Sequence, residues 1–176
     1  MTFLSDSYTE RAILSLRTGS TIGLAQLPII DASNLKIEGW YATVPDEKEL
    51  MILPSLEVRD IIAKGIVVND HDAITPMEDM IRMKAVIDAE FEIIGTTVEN
   101  ETGVKLGKVR DYSADNQTFF IKKLYVGQSL VRSMLSLTKP QLIIDRSQII
   151  DVTKDKIIVK DASEKVQNSK TAPAQA

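Results

Sequence analysis

The chain contains one short pattern twice, 84 residues apart. Thr18–Gly23 reads Thr-Gly-Ser-Thr-Ile-Gly, and Thr102–Gly107 reads Thr-Gly-Val-Lys-Leu-Gly. The correspondence continues without a gap as far as Tyr41 and Tyr125. Similarity at a fixed offset indicates that one structural unit occurs more than once in a chain. We therefore predict two similar modules in tandem.

A second block repeats with a longer offset of 91 residues. Leu53–Asp70 matches Ile144–Asp161 in its aliphatic and aspartate positions. The difference between the two offsets indicates a seven-residue insertion in the second copy, between Gly127 and Gln141. In the same part of the second copy, Ser129–Leu137 is predicted to form a short helix that ends before Pro140.

Each copy has the composition of short β-strands. Leu35–Ala42 and Thr118–Val126 are rich in aliphatic and aromatic residues, which favour strands. Gly19 and Gly103 precede strands at matching positions, and glycine adopts the positive φ of a tight turn at little cost. Several short strands at this spacing predict a mainly β protein with two tandem small β-barrels.

A connecting α-helix is predicted between the two copies. Thr75-Pro76-Met77-Glu78 has the pattern of a capping box with proline at the first helical position. Four apolar residues then fall on one stripe of this helix: Met77, Met80, Met83 and Ile87. Such a stripe either packs on its own barrel or forms a binding surface for a partner groove or for a second copy of the chain.

These features divide the chain into four parts. The first module is predicted at residues 8–74, the connecting helix at 75–91 and the second module at 92–161. The tail, residues 162–176, is polar and low in aliphatic residues, so we expect it to be disordered.

Composition argues against most catalytic chemistries. The chain has no cysteine, and its one histidine, His71, lies in a polar stretch that we interpret as a solvated turn. The glycines fit no phosphate-binding fingerprint. We therefore predict no catalytic residues, no metal ligands and no cofactor.

No stretch approaches the roughly 18–20 apolar residues that span a bilayer. The N-terminus has no basic start followed by an apolar stretch, so we expect no signal peptide. These features predict a cytoplasmic protein without membrane insertion.

The second copy carries basic residues that the first copy lacks. We call these five residues the basic set: Lys105, Lys108, Arg110, Lys122 and Lys123. If their strands are adjacent, the set could contact RNA phosphates or an acidic protein. An ordinary solvated strand face is the alternative, and the net charge of −4 does not favour a polyanionic partner.

The motifs of the second copy resemble the PRC-barrel family. The resemblance lies in Ile94–Val98, Thr102–Asp111 and Asp155–Val159. The first copy departs from it, because Leu27 stands where the second copy has Asp111. The resemblance implies a small β-barrel that acts by binding and that has no shared catalytic residues.

Three functional hypotheses follow. The first is a non-enzymatic protein-binding or adaptor module that assembles or scaffolds a complex through its β-barrels. The second is an RNA-processing or ribosome-maturation factor that uses the basic set. The third, an enzyme that relies on carboxylates or a metal, has the least support.

Overall fold

The computed structural model describes residues 1–127 and 141–160. Its first eight strands are β1 (Thr2–Leu4), β2 (Arg11–Ser15), β3 (Thr21–Asp31), β4 (Lys36–Thr43), β5 (Met51–Pro54), β6 (Val58–Ile62), β7 (Gly65–Val68) and β8 (Thr75–Pro76). Six more follow: β9 (Thr97–Asn100), β10 (Lys105–Asp115), β11 (Ile121–Gly127), β12 (Gln141–Asp145), β13 (Ile149–Val152) and β14 (Lys156–Val159). The predicted helix at Ser129–Leu137 and the predicted disorder of residues 162–176 lie outside the described residues.

Across residues 1–127 and 141–160, helical structure is confined to short segments. One α-helix, α1, covers Lys84–Asp88. The remaining helical segments are single 3-10 turns: Ser5–Tyr8, Ser55–Glu57, His71–Ala73, Met77–Asp79, Ile81–Met83 and Arg146–Gln148. The predicted mainly β fold is therefore confirmed for the part of the chain that the structure describes.

Two seven-stranded sheets have matching strand orders. The first sheet runs β6-β7-β2-β3-β4-β5-β8, and the second runs β13-β14-β9-β10-β11-β12 with β1 paired to β10. In both sheets the only parallel pair joins corresponding strands, β2 with β7 and β9 with β14. Across the described residues, neither sheet closes on itself through pairing of its two end strands. Barrel closure therefore stays a prediction.

Equivalent elements lie at the two offsets predicted from the sequence. β3 and β10 have the same length and are 84 residues apart. The 3-10 turns Ser55–Glu57 and Arg146–Gln148 are 91 residues apart, as are the starts of β6 and β13. β3 and β10 also change register at corresponding places, after Ala25 and after Val109. A change of register of this kind bends and twists a strand, so the two long strands curve alike.

One hydrophobic core extends across both sheets. Trp40 is fully buried in the first sheet, and its ring meets Phe119 of the other half edge-on, with centroids 5.5 Å apart. The Trp40 indole donates a hydrogen bond to the Tyr8 carbonyl (2.7 Å), and the Tyr8 hydroxyl donates to the Ala114 carbonyl of β10 (2.7 Å). Tyr8 therefore connects the two sheets through polar groups at the centre of the core.

The loops before β4 and β11 contact each other reciprocally. The Ile37 amide donates to the Phe119 carbonyl (3.0 Å), and the Ile121 amide donates to the Leu35 carbonyl (2.9 Å). These four residues exchange places under the 84-residue offset, so the same surface is used on both sides, as in a two-fold dimer. Leu35 and Phe119 both have positive φ, 48° and 61°, which is unfavourable for bulky residues. Both side chains are buried, and this burial offsets the backbone strain.

Arg146 adds a contact that has no counterpart in the first sheet. Its guanidinium donates to the carbonyls of Asn34, Leu35 and Ile121, and it lies 5.0 Å from the centre of the Phe120 ring. Ser55 occupies the equivalent position in the first half of the chain. The five-donor fork of arginine suits such a set of carbonyls.

The predicted helix at 75–91 is wrong at its start. Thr75 and Pro76 form β8 and pair with Ile52 and Met51 of β5, so Thr75 is not a helix cap. Within residues 75–91, only α1 is α-helical, and it follows two 3-10 turns. Pairing with an open sheet edge has overridden the local helix signal, as tertiary context often does.

Replacement of Arg146 tests its role at the junction. We expect Arg146→Ala to lower the free energy of unfolding by about 2–3 kcal/mol, because three partly buried carbonyls lose a charged donor. Urea denaturation measures the change. Arg59→Ala is the control, because Arg59 makes a single exposed bond to Asn69 and should change stability by about 0.5 kcal/mol or less. Equal losses for both variants would contradict the proposed role.

Asp115 should make stability depend on pH. Its carboxylate accepts from the Thr118 amide (2.8 Å), the Thr118 hydroxyl (2.9 Å) and the Gln117 amide (3.2 Å), and these bonds lower its pKa to about 2. A lowered pKa stabilises the fold above the unfolded value near 4, and this stabilisation disappears as the pH falls towards about 2. We expect Asp115→Asn to cost about 1 kcal/mol at pH 7 after solvent screening, and almost nothing near pH 2. Urea denaturation at both pH values measures this, and a constant difference would contradict it.

Candidate functional site

The segment between the two sheets leaves apolar side chains in solvent. We define residues 77–90 as the linker segment, and none of its residues is buried. Ile81 is 81% exposed and Met77 is 40% exposed. The other apolar residues of the predicted stripe are half-buried: Met80, Met83 and Ile87. An apolar segment of this kind is a candidate binding surface.

Two contacts hold the linker segment against the first sheet. The Met77 amide donates to the Leu50 carbonyl at 3.1 Å, directly beside the pairing of β8 with β5. Further on, the Met83 methyl lies over Gly39 of β4, where an added β-carbon would come within 3.2 Å of it. In the second sheet, Lys123 stands at the position equivalent to Gly39. The described residues of that sheet therefore have no glycine where a side chain could pack in the same way.

The four predicted stripe residues do not form one α-helical face. Met77 lies in one 3-10 turn, Met83 in the next and Ile87 in α1, because the chain leaves α-helical geometry before Lys84. Met80 joins the two 3-10 turns with ψ of 56°. Ile81, which is not one of the four, is the most exposed large apolar residue of the linker segment.

The basic set does not gather into one patch. All five side chains are exposed, on β10 and β11. Lys108 is opposite Gly127, and Lys123 is opposite Ser113, so these two lysines are separated by about 15 Å along the strands. Arg110 lies near Lys108, because its side chain packs against Gly127, the residue paired with Lys108.

Carboxylates accompany part of the basic set. Lys105 is paired across the strands with Glu99, and Lys123 with Asp145. Opposite charges at directly paired positions reduce the local positive potential. The basic set is therefore a weaker candidate for polyanion binding than its sequence spacing suggests.

His71 belongs to a structural turn that joins β7 to β8. Its Nδ1 lies 3.2 Å from Asp70 Oδ1, and Asp70 also accepts from the Ser15 hydroxyl and forms an ion pair with Arg17. The backbone N–H of His71 is the main cause of the lowered pKa of Asp70. Across residues 1–127 and 141–160, no three acidic or histidine side chains come together as metal ligands would.

A cleft opens beyond the linker segment. It has a volume of about 810 Å³ and is lined by β3, by the end of the linker segment, by the turns at Ser5 and Lys154, and by Tyr112 of β10. Sequence reasoning missed this cleft because its residues come from distant segments and form no motif. A periodic pattern within a single strand or helix could not have indicated the cleft.

Comparison with known proteins does not add a function. No protein-family model matches this chain, and no curated protein matches its sequence. The helices of the described segments are too short and too polar to cross a bilayer.

The contact of Met83 with Gly39 can be tested by proteolysis. We expect Met83→Ala to increase tryptic cleavage after Arg82 and Lys84 several-fold, because it removes the side chain that holds this segment to β4. Met77→Ala is the matched control, since Met77 is more exposed and the Met77 amide bond to Leu50 remains. Cleavage rates followed by mass spectrometry should separate the two variants, and equal rates would contradict the contact.

Proposed function

We propose that this protein is a non-catalytic binding protein that assembles or scaffolds a complex through its linker segment. The observation that carries the proposal is the exposure of Met77 and Ile81 beside a sheet edge that holds the backbone in place. Apolar side chains that are held in contact with water are unfavourable, and their burial against a partner is favourable.

The architecture supports the same proposal. We infer that the two sheets are PRC-barrel-like modules in tandem, each forming a small barrel. The support is the matching strand order, the matching offsets and the Thr-Gly turns before β3 and β10. Proteins of that family act by binding, and the resemblance implies no catalytic residues.

The chemistry of the linker segment indicates the kind of partner. Methionine is flexible and polarisable, and it adapts to irregular apolar surfaces. Two acidic residues, Glu78 and Asp79, precede Ile81, and two basic residues, Arg82 and Lys84, follow it. A partner protein with an apolar groove and a polar rim of mixed charge fits this surface best.

A role in RNA processing or ribosome maturation has less support. It requires the basic set to act together, whereas its lysines lie at opposite ends of the paired strands β10 and β11. Two of them, Lys105 and Lys123, are also paired with carboxylate residues. The linker segment offers the more continuous surface.

Ile81→Glu tests the proposal directly. Ile81 is exposed, so the charge should leave the fold intact, but it should weaken partner binding at least about tenfold by placing a charge in an apolar contact. The measurement is affinity purification from the native cell, with quantification of the captured protein and of RNA.

Leu56→Glu is the matched control. Leu56 is 84% exposed and lies in a different 3-10 turn, at Ser55–Glu57. The proposal predicts that Leu56→Glu keeps the partner that Ile81→Glu loses. Equal capture by both variants, or capture that depends on RNA, would overturn it.

A further inference from the structure

The cleft beside the linker segment has apolar walls. Leu27 and Ile29 of β3 form one side, and Phe91 and Ile93 form another. Its volume of about 810 Å³ is within the range of small-molecule sites. Six separate parts of the chain meet here, and such junctions are common places for ligand sites.

The space exists because the two sheets differ at this point. In the second sheet, β1 pairs with Ser113–Asp115 at the edge of β10, and the Ser5 amide donates to Asp111 at 3.3 Å. Ile29–Asp31 of β3 pair with β4 on one side. On the other side, which corresponds to the β1 side of β10, no strand of the described segments pairs with them. Leu27, which is 57% exposed, replaces Asp111. The first sheet therefore has an open apolar recess where the second has a strand.

Tyr112 supplies a polar group without a partner. The side chain lines the cleft and is 2% exposed, and its buried hydroxyl makes no hydrogen bond within the described structure. Burial, followed by the nearby Tyr8 and Asp111, raises its pKa, so the phenol stays neutral. A buried unpaired hydroxyl is costly, and a ligand N–H group would satisfy its oxygen.

Acidic residues dominate the charge around the cleft. Glu90, Glu92 and Asp155 contribute three carboxylates, and Lys154 contributes one ammonium group. Tyr41 also lines the cleft, and burial together with Glu90 raises its pKa. This arrangement disfavours an anion and favours a cation, which the aromatic rings also attract.

We propose that this cleft binds a small, mainly apolar amine. The apolar body lies between β3 and Phe91, and the ammonium group is attracted by Glu90 and Glu92 and donates to Tyr112. This site is separate from the exposed Met77–Ile81 surface, and its test requires no protein partner.

Three probes of equal size separate the contributions. We expect calorimetric titration of the full chain at pH 7 to show that 4-phenylbutylamine binds more tightly than 4-phenylbutan-1-ol. 4-Phenylbutanoate should bind most weakly, at least about tenfold below the amine. Absence of binding by all three, or equal binding of the amine and the carboxylate, would overturn the proposal.

Substitutions then identify the groups that bind the amine. Glu90→Gln with Glu92→Gln should abolish the preference for the amine over the alcohol, whereas Glu101→Gln, outside the cleft, should preserve it. Tyr112→Phe should weaken amine binding about three- to tenfold. Because the hydroxyl is unpaired in the free protein, this variant should not lower the melting temperature. Unchanged amine binding in Tyr112→Phe, or in the glutamine variant, would contradict the assignment.

Discussion

The reciprocal pairing of the Leu35 and Phe119 loops is the contact on which the rest of the fold depends. Two backbone hydrogen bonds join residues that exchange places under the 84-residue offset. Because the pairing places Phe119 against Trp40, it closes the core of both sheets at once. Each sheet alone would expose one side of this core. The two halves therefore behave as the subunits of a dimer that one chain has joined.

Function is expected where this correspondence fails. The second sheet covers the edge of β10 with β1, whereas the corresponding edge of β3 faces a cleft. In the first sheet Met83 packs over Gly39, whereas the second sheet has Lys123 at the position equivalent to Gly39. Residues common to both halves are constrained by the shared core. Differing residues outside the core are free of that constraint, and the linker segment and the cleft are two places where such residues lie.

Sequence comparison within the chain predicted the strands well because alternating burial and turn glycines are local signals. It placed β3 with β10 and β6 with β13 in register. The prediction was wrong at Thr75, where a capping-box pattern indicated a helix but the residue forms a strand. Thr75 pairs with β5, which lies more than twenty residues earlier in the chain, so the local pattern could not indicate this pairing. The arrangement of the basic set on the two strands was not predictable for a related reason. Spacing along a strand does not reveal which residue stands opposite, so the pairings of Lys105 with Glu99 and Lys123 with Asp145 could not be predicted. The unpaired hydroxyl of Tyr112 had no sequence signal at all.

The linker segment is exposed because the residues on either side of it are held by other contacts. Thr75 and Pro76 are paired with β5, and Phe91 and Ile93 are buried in the common core. The residues between these anchors cannot reach the core, so Met77 and Ile81 remain in solvent. A segment that is fixed at both ends has already lost much of its conformational entropy on folding. Binding through it therefore has a smaller ordering cost than binding through a free tail, which makes a fixed apolar linker a better docking surface than its size suggests.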